Sequence, residues 1–193
     1  MTTIQTRRMT LDEFNALPEG PPYYEFEEGE LIPVPSPTID HQDVVLFLAS
    51  AIQEFVRPRR QGRVFMGVDV YLPDGRVFIP DLGFLSTEKL DLVSAADGKI
   101  HGAPDLVVEV VSQDEARDRA HKFHVYYDNG VPWYWLIGAA SLVVEEYQAT
   151  PKGYVRVSSV SAGQPFRPAL FPGLVIDLAA SLGSSGHADG DQS

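Results

Sequence analysis

Leu106-Val107-Val108-Glu109-Val110-Val111 is a short apolar run, mostly β-branched, interrupted by one carboxylate. Its length and composition are those of a central strand buried on both faces. An ionised carboxylate in such a place is costly unless it is paired, hydrogen-bonded or bound to a metal. A second acid of this kind, Asp81, stands in Ile79-Pro80-Asp81-Leu82-Gly83-Phe84, and Lys122 follows Glu109 on the C-terminal side. Two acids inside apolar strands, followed by a lysine, are the residue types of a metal-ion phosphodiester hydrolase.

Outward from that strand, the chain alternates between two periodicities. Thr10-Leu11-Asp12-Glu13 has the spacing of a capping box, which predicts a short helix from Leu11 that ends before Pro18. Tyr23 to Phe26 and Glu30 to Val34 flank an acidic turn and read as a hairpin. From Ile39 to Val56, Val44, Val45, Leu48, Ala51, Ile52 and Phe55 recur at three and four, the pattern of an amphipathic helix. Val64 to Leu72 and Arg76 to Leu85 read as strands joined by Pro73-Asp74-Gly75. Residues 86 to 103 look irregular, with a helical turn near Thr87. A second helix is expected from Asp114 to Asn129, stopped by Asn129-Gly130. Trp133 to Ile137, Leu142 to Gln148 and Tyr154 to Val160 complete the strands. Helices between strands, around one apolar central strand, predict an α/β fold with a mixed β-sheet flanked by helices.

The length of 193 residues suits a single domain, expected over 1–180, with 181–193, rich in Ser, Gly and Asp, as a disordered tail. No run approaches the roughly 18 apolar residues of a membrane helix. No apolar segment follows Arg7-Arg8, so no secretory signal is expected. The absence of cysteine excludes disulfides and thiolate metal sites, and the chain is expected in the cytoplasm. A net charge of −12 argues against strong standing DNA binding, which rests on neutralised phosphates. Weak, metal-bridged engagement of nucleic acid remains open. One local basic run, Arg57, Arg59, Arg60 and Arg63, reads either as a solvated loop after a helix or as a phosphate-contact patch.

Strand alternation decides which side chains can meet. Ile79, Asp81 and Gly83 share a face, as do Asp105, Val107, Glu109 and Val111. If the two strands are neighbours, Asp81 and Glu109 point at one site. Asp105 lies about 13 Å from Glu109 along an extended strand, which suits a turn or strand-end role. Two carboxylates held close repel, and one pKa rises unless a cation intervenes. A hard ion such as Mg²⁺ takes one or two carboxylates and leaves its other positions to water and substrate phosphate. A nearby lysine would orient water or stabilise developing negative charge. His121 and His124 are three apart with no acid motif between them, so no zinc site is expected there.

This arrangement resembles the PD-(D/E)XK nuclease superfamily, in which a Pro-Asp on one strand and an acid-X-Lys on the next form the metal site. Pro80-Asp81 supplies the first part, and Glu109-Val110-Val111 the second, with Val111 where a lysine is usual. The lysine comes from elsewhere or is absent. Lys122 and Tyr126, four apart on the following helix, share a helical face.

From about Thr10 to Tyr154 the chain further resembles the Uma-two family of restriction-endonuclease-like proteins. The resembling pieces are Tyr24-Glu25-Phe26-Glu27-Glu28-Gly29-Glu30-Leu31, then Pro35-Ser36-Pro37 with His41, then Ile79-Pro80-Asp81 and Ala103-Pro104-Asp105-Leu106-Val107-Val108-Glu109-Val110-Val111-Ser112. Last come Arg117-Asp118 with Lys122 and Tyr126, and Gly130-Val131-Pro132-Trp133-Tyr134-Trp135-Leu136. Gly138-Ala139-Ala140 departs from the Asp-Pro turn the family often has there, which bears on a turn and not on the site.

The resemblance implies a restriction-endonuclease-like core with Asp81, Glu109 and Lys122 at the site. Glu25 would be a further ligand for Mg²⁺ or Mn²⁺, with Tyr126 and His41 in supporting places. It implies a nucleic-acid partner, DNA first among them, bound weakly, and a homodimer. The expected activity is divalent-metal-dependent endonuclease cleavage. The alternatives are a catalytically silent nuclease-fold binding or scaffold protein, and a metal enzyme acting on something other than nucleic acid.

Overall fold

A computed structural model describes residues 8–111 and 116–182, without the side chains of 116–119. Helix α1 is Leu11–Asn15, opened by the capping box: Glu13 N–H donates to Thr10 Oγ1 at 3.2 Å and Thr10 N–H to Glu13 Oε2 at 2.9 Å. Strands β1 (Tyr24–Glu27) and β2 (Glu30–Pro33) form the expected hairpin. Both turn residues, Glu28 and Gly29, have positive φ, which matches the right-handed twist of the strands. Helix α2 spans Ile39–Val56, as its periodicity predicts, and Thr38 caps it by accepting from His41 N–H.

The next two strands depart from expectation. Each is broken in the middle, and the chain changes sheet at both breaks. β3 (Gly62–Phe65) and β6 (Leu82–Ser86) lie in one sheet; β4 (Val70–Tyr71) and β5 (Val77–Phe78) lie in another. The crossing points meet, with Gly67 N–H donating to the Pro80 carbonyl at 3.3 Å. Gly67 has φ +56°, and Pro80 has no N–H to offer a ladder, so neither break can be an uninterrupted strand. A 3-10 helix (Thr87–Leu92) and β7 (Ile100–His101) fill the stretch expected to be irregular.

β8 (Leu106–Val111) is the central strand, buried along its whole length. It pairs antiparallel with β6 and parallel with β9 (Trp133–Gly138). Parallel neighbours need a long crossover, and helix α3 (Ala116–Asp128) provides it. β10 (Val144–Thr150) and β11 (Gly153–Val160) extend the sheet on its far side. The result is two mixed sheets, β2-β1-β5-β4-β7 and β11-β10-β9-β8-β6-β3.

Alternation along β8 sorts the core. Leu106, Val108 and Val110 face α2 together with Trp135, Ile137 and Phe84. Val107 and Val111 face α3 and the smaller sheet, with Tyr126, Tyr134, Phe78 and Leu85. The segment after β11, in which no element is expected, closes the first core through Phe166, Phe171, Leu174 and Ile176 and ends in α4 (Leu178–Leu182). Of the expected tail, Ser181 and Leu182 belong to α4, and 183–193 lie outside the described residues. No helix among the described residues is long and apolar enough to cross a membrane.

Candidate active site

β6 and β8 are neighbours, with Leu82 opposite Val108. The antiparallel register therefore sets Asp81, one residue before β6, across from Glu109. Val110 N–H donates to Asp81 Oδ2 at 2.7 Å, which fixes the carboxylate at the strand entry. His41, in the first turn of α2, approaches from the other core, with Nε2 3.1 Å from Asp81 Oδ1.

Glu25 reaches the same place from β1. Its Oε1 accepts from Ile79 N–H at 2.9 Å and from the Lys122 ammonium at 2.7 Å. Lys122 Nζ also lies 3.5 Å from Glu109 Oε1, and its charge stands 5.5 Å from the Phe78 ring centroid. One helical turn on, Tyr126 donates its hydroxyl to Glu109 Oε1 at 3.0 Å. The structure thus brings together all six residues singled out in the sequence: Glu25, His41, Asp81, Glu109, Lys122 and Tyr126. They come from β1, α2, the entry of β6, β8 and α3, far apart in sequence.

Three carboxylates surround one ammonium, so the site cannot carry every acid ionised. Burial pushes the Glu109 carboxyl up, to about 8; the Lys122 charge opposes this, and Asp81 and Glu25 add to it. Burial alone would lower Lys122, but Glu109 and Glu25 outweigh it and hold the ammonium charged, well above its ordinary value. Lys122 and Glu25, at 2.7 Å, are the close ion pair of the site, and burial favours the protonated form of Glu109. Burial first, then the neighbouring Glu109 and Glu25, raise Tyr126 well above an ordinary phenol, so it serves as a neutral donor.

Among the described residues, no three His, Asp or Glu side chains converge closely enough to enclose an ion by themselves. Among the described residues, the hydrogen bonds to Glu25 and Glu109 fall on Oε1 of each. Hard carboxylate oxygens on facing strands suit Mg²⁺ or Mn²⁺ in an open site finished by water and phosphate, and do not suit an all-protein cage.

Several neighbours were not anticipated. Arg76 gathers Glu27 and Glu28, each at 2.6 Å, together with Asp74. His121 places Nε2 2.7 and 2.8 Å from the two oxygens of Glu27. Glu25 and Glu27 are two apart on one strand and share its face; that spacing was the available signal. A groove of about 240 Å³ beyond Glu25 is lined by Glu27, Glu28, Glu30, Ile32 and His121. Asp105 ties strand ends: its Oδ2 accepts from Ser86 N–H at 2.7 Å and its Oδ1 lies 3.2 Å from Lys89 Nζ. Glu146 is a third buried acid, on the opposite side of the sheet, accepting from Trp135 Nε1–H and from the backbone of Ala169 and Leu170.

A mixed sheet whose central strand faces a second acid, with a lysine on the crossover helix, belongs to the restriction-endonuclease-like class. Residues 11–179 match the Uma2 family, described as "Putative restriction endonuclease", and the chain belongs to that family. It is also similar to a solved structure described as "a putative nuclease belonging to DUF820 from Anabaena variabilis ATCC 29413". That likeness has 24% identity and a TM-score of 0.69 and covers 88% of this chain and 94% of the other. At that identity it is a likeness of fold. No curated protein matches the chain.

Proposed function

We propose that this chain is a Mg²⁺- or Mn²⁺-dependent endonuclease that hydrolyses nucleic-acid phosphodiesters, with DNA as its substrate. The observation that carries this reading is the meeting of Glu25, Asp81, Glu109 and Lys122 at the entry of the central strands. Asp81 and Glu109 would hold the ion, with Glu25 beside them. A divalent ion there supplies acidification of a water and neutralisation of charge on the phosphate.

The protein's own groups do the rest. Lys122, held charged by Glu109 and Glu25, would position the water or stabilise developing negative charge. Tyr126 holds Glu109 from the core side, and His41 steadies Asp81. Cleavage of both strands of a duplex needs two such sites, so the reading includes a homodimer, checked by light scattering. A cysteine-free chain also suits a cytoplasmic setting.

The test is cleavage of labelled DNA in Mn²⁺ by wild type, Asp81→Asn and Glu109→Gln. Both variants should lose cleavage while keeping their circular dichroism, and an unchanged rate in both would sink the reading. Calorimetric titration with Mn²⁺ should show binding in wild type that Glu109→Gln abolishes.

One observation favours a second reading, a silent nuclease fold that only binds. The 2.7 Å Glu25–Lys122 pair compensates buried charge without any ion. That reading requires DNA affinity with a steep salt dependence that survives Glu109→Gln, together with no turnover.

A further inference from the structure

The arginine run after α2 plays no part in the site just described. Four arginines fall between Arg57 and Arg63, and no Asp or Glu occurs from Phe55 to Val68 in a chain with 27 acids. Arg59 is occupied locally: it donates to the Phe55 carbonyl at 2.7 Å and stacks on the Phe55 ring, closing α2. Arg57, Arg60 and Arg63 are exposed. Arg76 and Arg156, by contrast, lie against Glu27 and Glu145.

The turn that carries them is fixed from below. Gln61 N–H donates to the Val56 carbonyl, Thr87 N–H to the Gln61 carbonyl, and Thr87 Oγ1 to the Arg60 carbonyl. Arg60 adopts φ +53°, uncommon for a residue other than glycine. A Cβ at Gly62 would stand 2.0 Å from the Leu85 carbonyl, so the turn sits directly on the end of β6. The arginines project from the end of α2, the turn after it and the edge strand β3.

Position relates them to the site. Arg63 pairs with Leu85, four residues beyond Asp81 on the strand course. Alternation puts Arg63 with Phe65 and Leu85 on the sheet face that also carries Val107, and therefore Glu109. The separation from Asp81 is about 13 Å along the sheet, or about four nucleotide steps of 3.4 Å along one strand of a duplex. Arg57, just past the end of α2, lies about 24 Å from His41 along the helix axis. The groove beyond Glu25 offers no comparable free cations: its Glu27 and Glu28 pair with Arg76, and its His121 with Glu27.

We propose that Arg57, Arg60 and Arg63 form the track that holds the phosphates flanking the cut, so that the nucleic-acid strand leaves the site along the β3 edge. This inference rests on the nuclease reading above, which supplies the ligand. The three arginines give the substrate a direction of approach. They also reconcile a net charge of −12 with a polyanionic substrate, because the basic charge is concentrated where the strand runs.

The experiment uses the full chain and a fluorescein-labelled 20-base-pair duplex, followed by anisotropy in EDTA across a series of salt concentrations. Three proteins are compared. They are wild type, the variant Arg57→Gln/Arg60→Gln/Arg63→Gln, and a charge-matched control, Lys152→Gln/Arg156→Gln/Arg167→Gln, with changes just before, on and after β11, the strand at the other edge of the sheet. Thermal melting establishes that all three fold. Loss of three phosphate contacts should reduce the slope of log K against log salt by about 2.7 and weaken binding at low salt by about tenfold or more. In Mn²⁺, KM for duplex cleavage should rise by a similar factor while kcat stays unchanged. The control should match wild type.

A folded arginine variant with wild-type slope and KM overturns the inference, and wild-type cleavage in the same experiment leaves the nuclease reading standing. An equal loss in the control also overturns it, since total charge would then be the cause. An arginine-dependent slope without any cleavage upholds the track and removes the nuclease chemistry. No binding and no cleavage by wild type removes both.

Discussion

The protonation of Glu109 makes stability, and not only activity, a test of the site. A carboxyl that titrates at about 8 in the folded chain and at 4.5 in the unfolded one binds its proton more tightly when folded. The sign follows directly. The contribution is complete below pH 4.5 and is lost as pH rises through about 8. Its full size is about 5 kcal/mol, because each pKa unit is worth about 1.4 kcal/mol, and most of it is already gone at pH 7. Glu109→Gln keeps the shape and removes the titration. The gap in unfolding free energy between variant and wild type should therefore move by several kcal/mol in favour of the variant between pH 4.5 and pH 8.5. Urea unfolding at intervals across that range measures it, with every other titrating group common to both proteins. Divalent ions should oppose the loss in wild type alone, since a ligand of the folded state present at 100 times its Kd adds about 2.7 kcal/mol. A gap that stays constant from pH 4.5 to pH 8.5 would refute the assignment of the proton to Glu109. It would place Glu109 among the ionised acids and leave the three-carboxylate argument without its physical basis.

Three other perturbations separate charge, hydrogen bonding and packing. Lys122→Met leaves Glu25 buried without its cation and should cost about 3–5 kcal/mol in urea unfolding; adding Glu25→Gln should recover most of the stability and none of the cleavage. Tyr126→Phe removes one donor from Glu109 and should cost about 1 kcal/mol. Because that hydrogen bond lowers the Glu109 pKa, its loss should move the stability transition to higher pH. Glu146→Leu strands the Trp135 and Ala169 N–H groups on the far side of the sheet, a loss of about 3 kcal/mol, or roughly 10 °C in Tm for a chain of this length. Its kcat at 25 °C should match wild type.

The features readable in the chain share one property: each is set by neighbours in sequence. The bounds of α2 follow from the Thr38 cap and the three-and-four spacing from Val44 to Phe55. The pairing of Asp81 with Glu109 follows from two-residue alternation once the strands are taken as adjacent. The breaks at Gly67 and Pro80 were hidden because the apolar pattern runs through them. The two halves of each segment pack in different sheets, and only the docking of those sheets decides where the chain crosses. Glu146 was hidden beside Glu145, although alternation from Val144 places it inward. Phe166, Phe171 and Leu174 fill the α2 side of the core without any period, so no local pattern announces them.

The lysine shows how the fold supplies what the strand motif lacks. Val111 shares the face of Glu109 and is packed with Val125 and Tyr126, so a lysine there would bring its charge up through the core. The parallel pairing of β8 with β9 requires a crossover, and α3 lies on this same face. A residue of that helix therefore faces Glu109, and its partner one turn later does too, which is the relation of Lys122 to Tyr126. From the helix the lysine stem covers apolar surface, and the side chain is still 21% exposed. The ammonium then sits between Glu25 and Glu109. The central strand keeps a single charged residue. Moving the lysine from strand to helix thus preserves the electrostatics of the site and spares the core a second buried charge, so Val111 need not mean that the chemistry was lost.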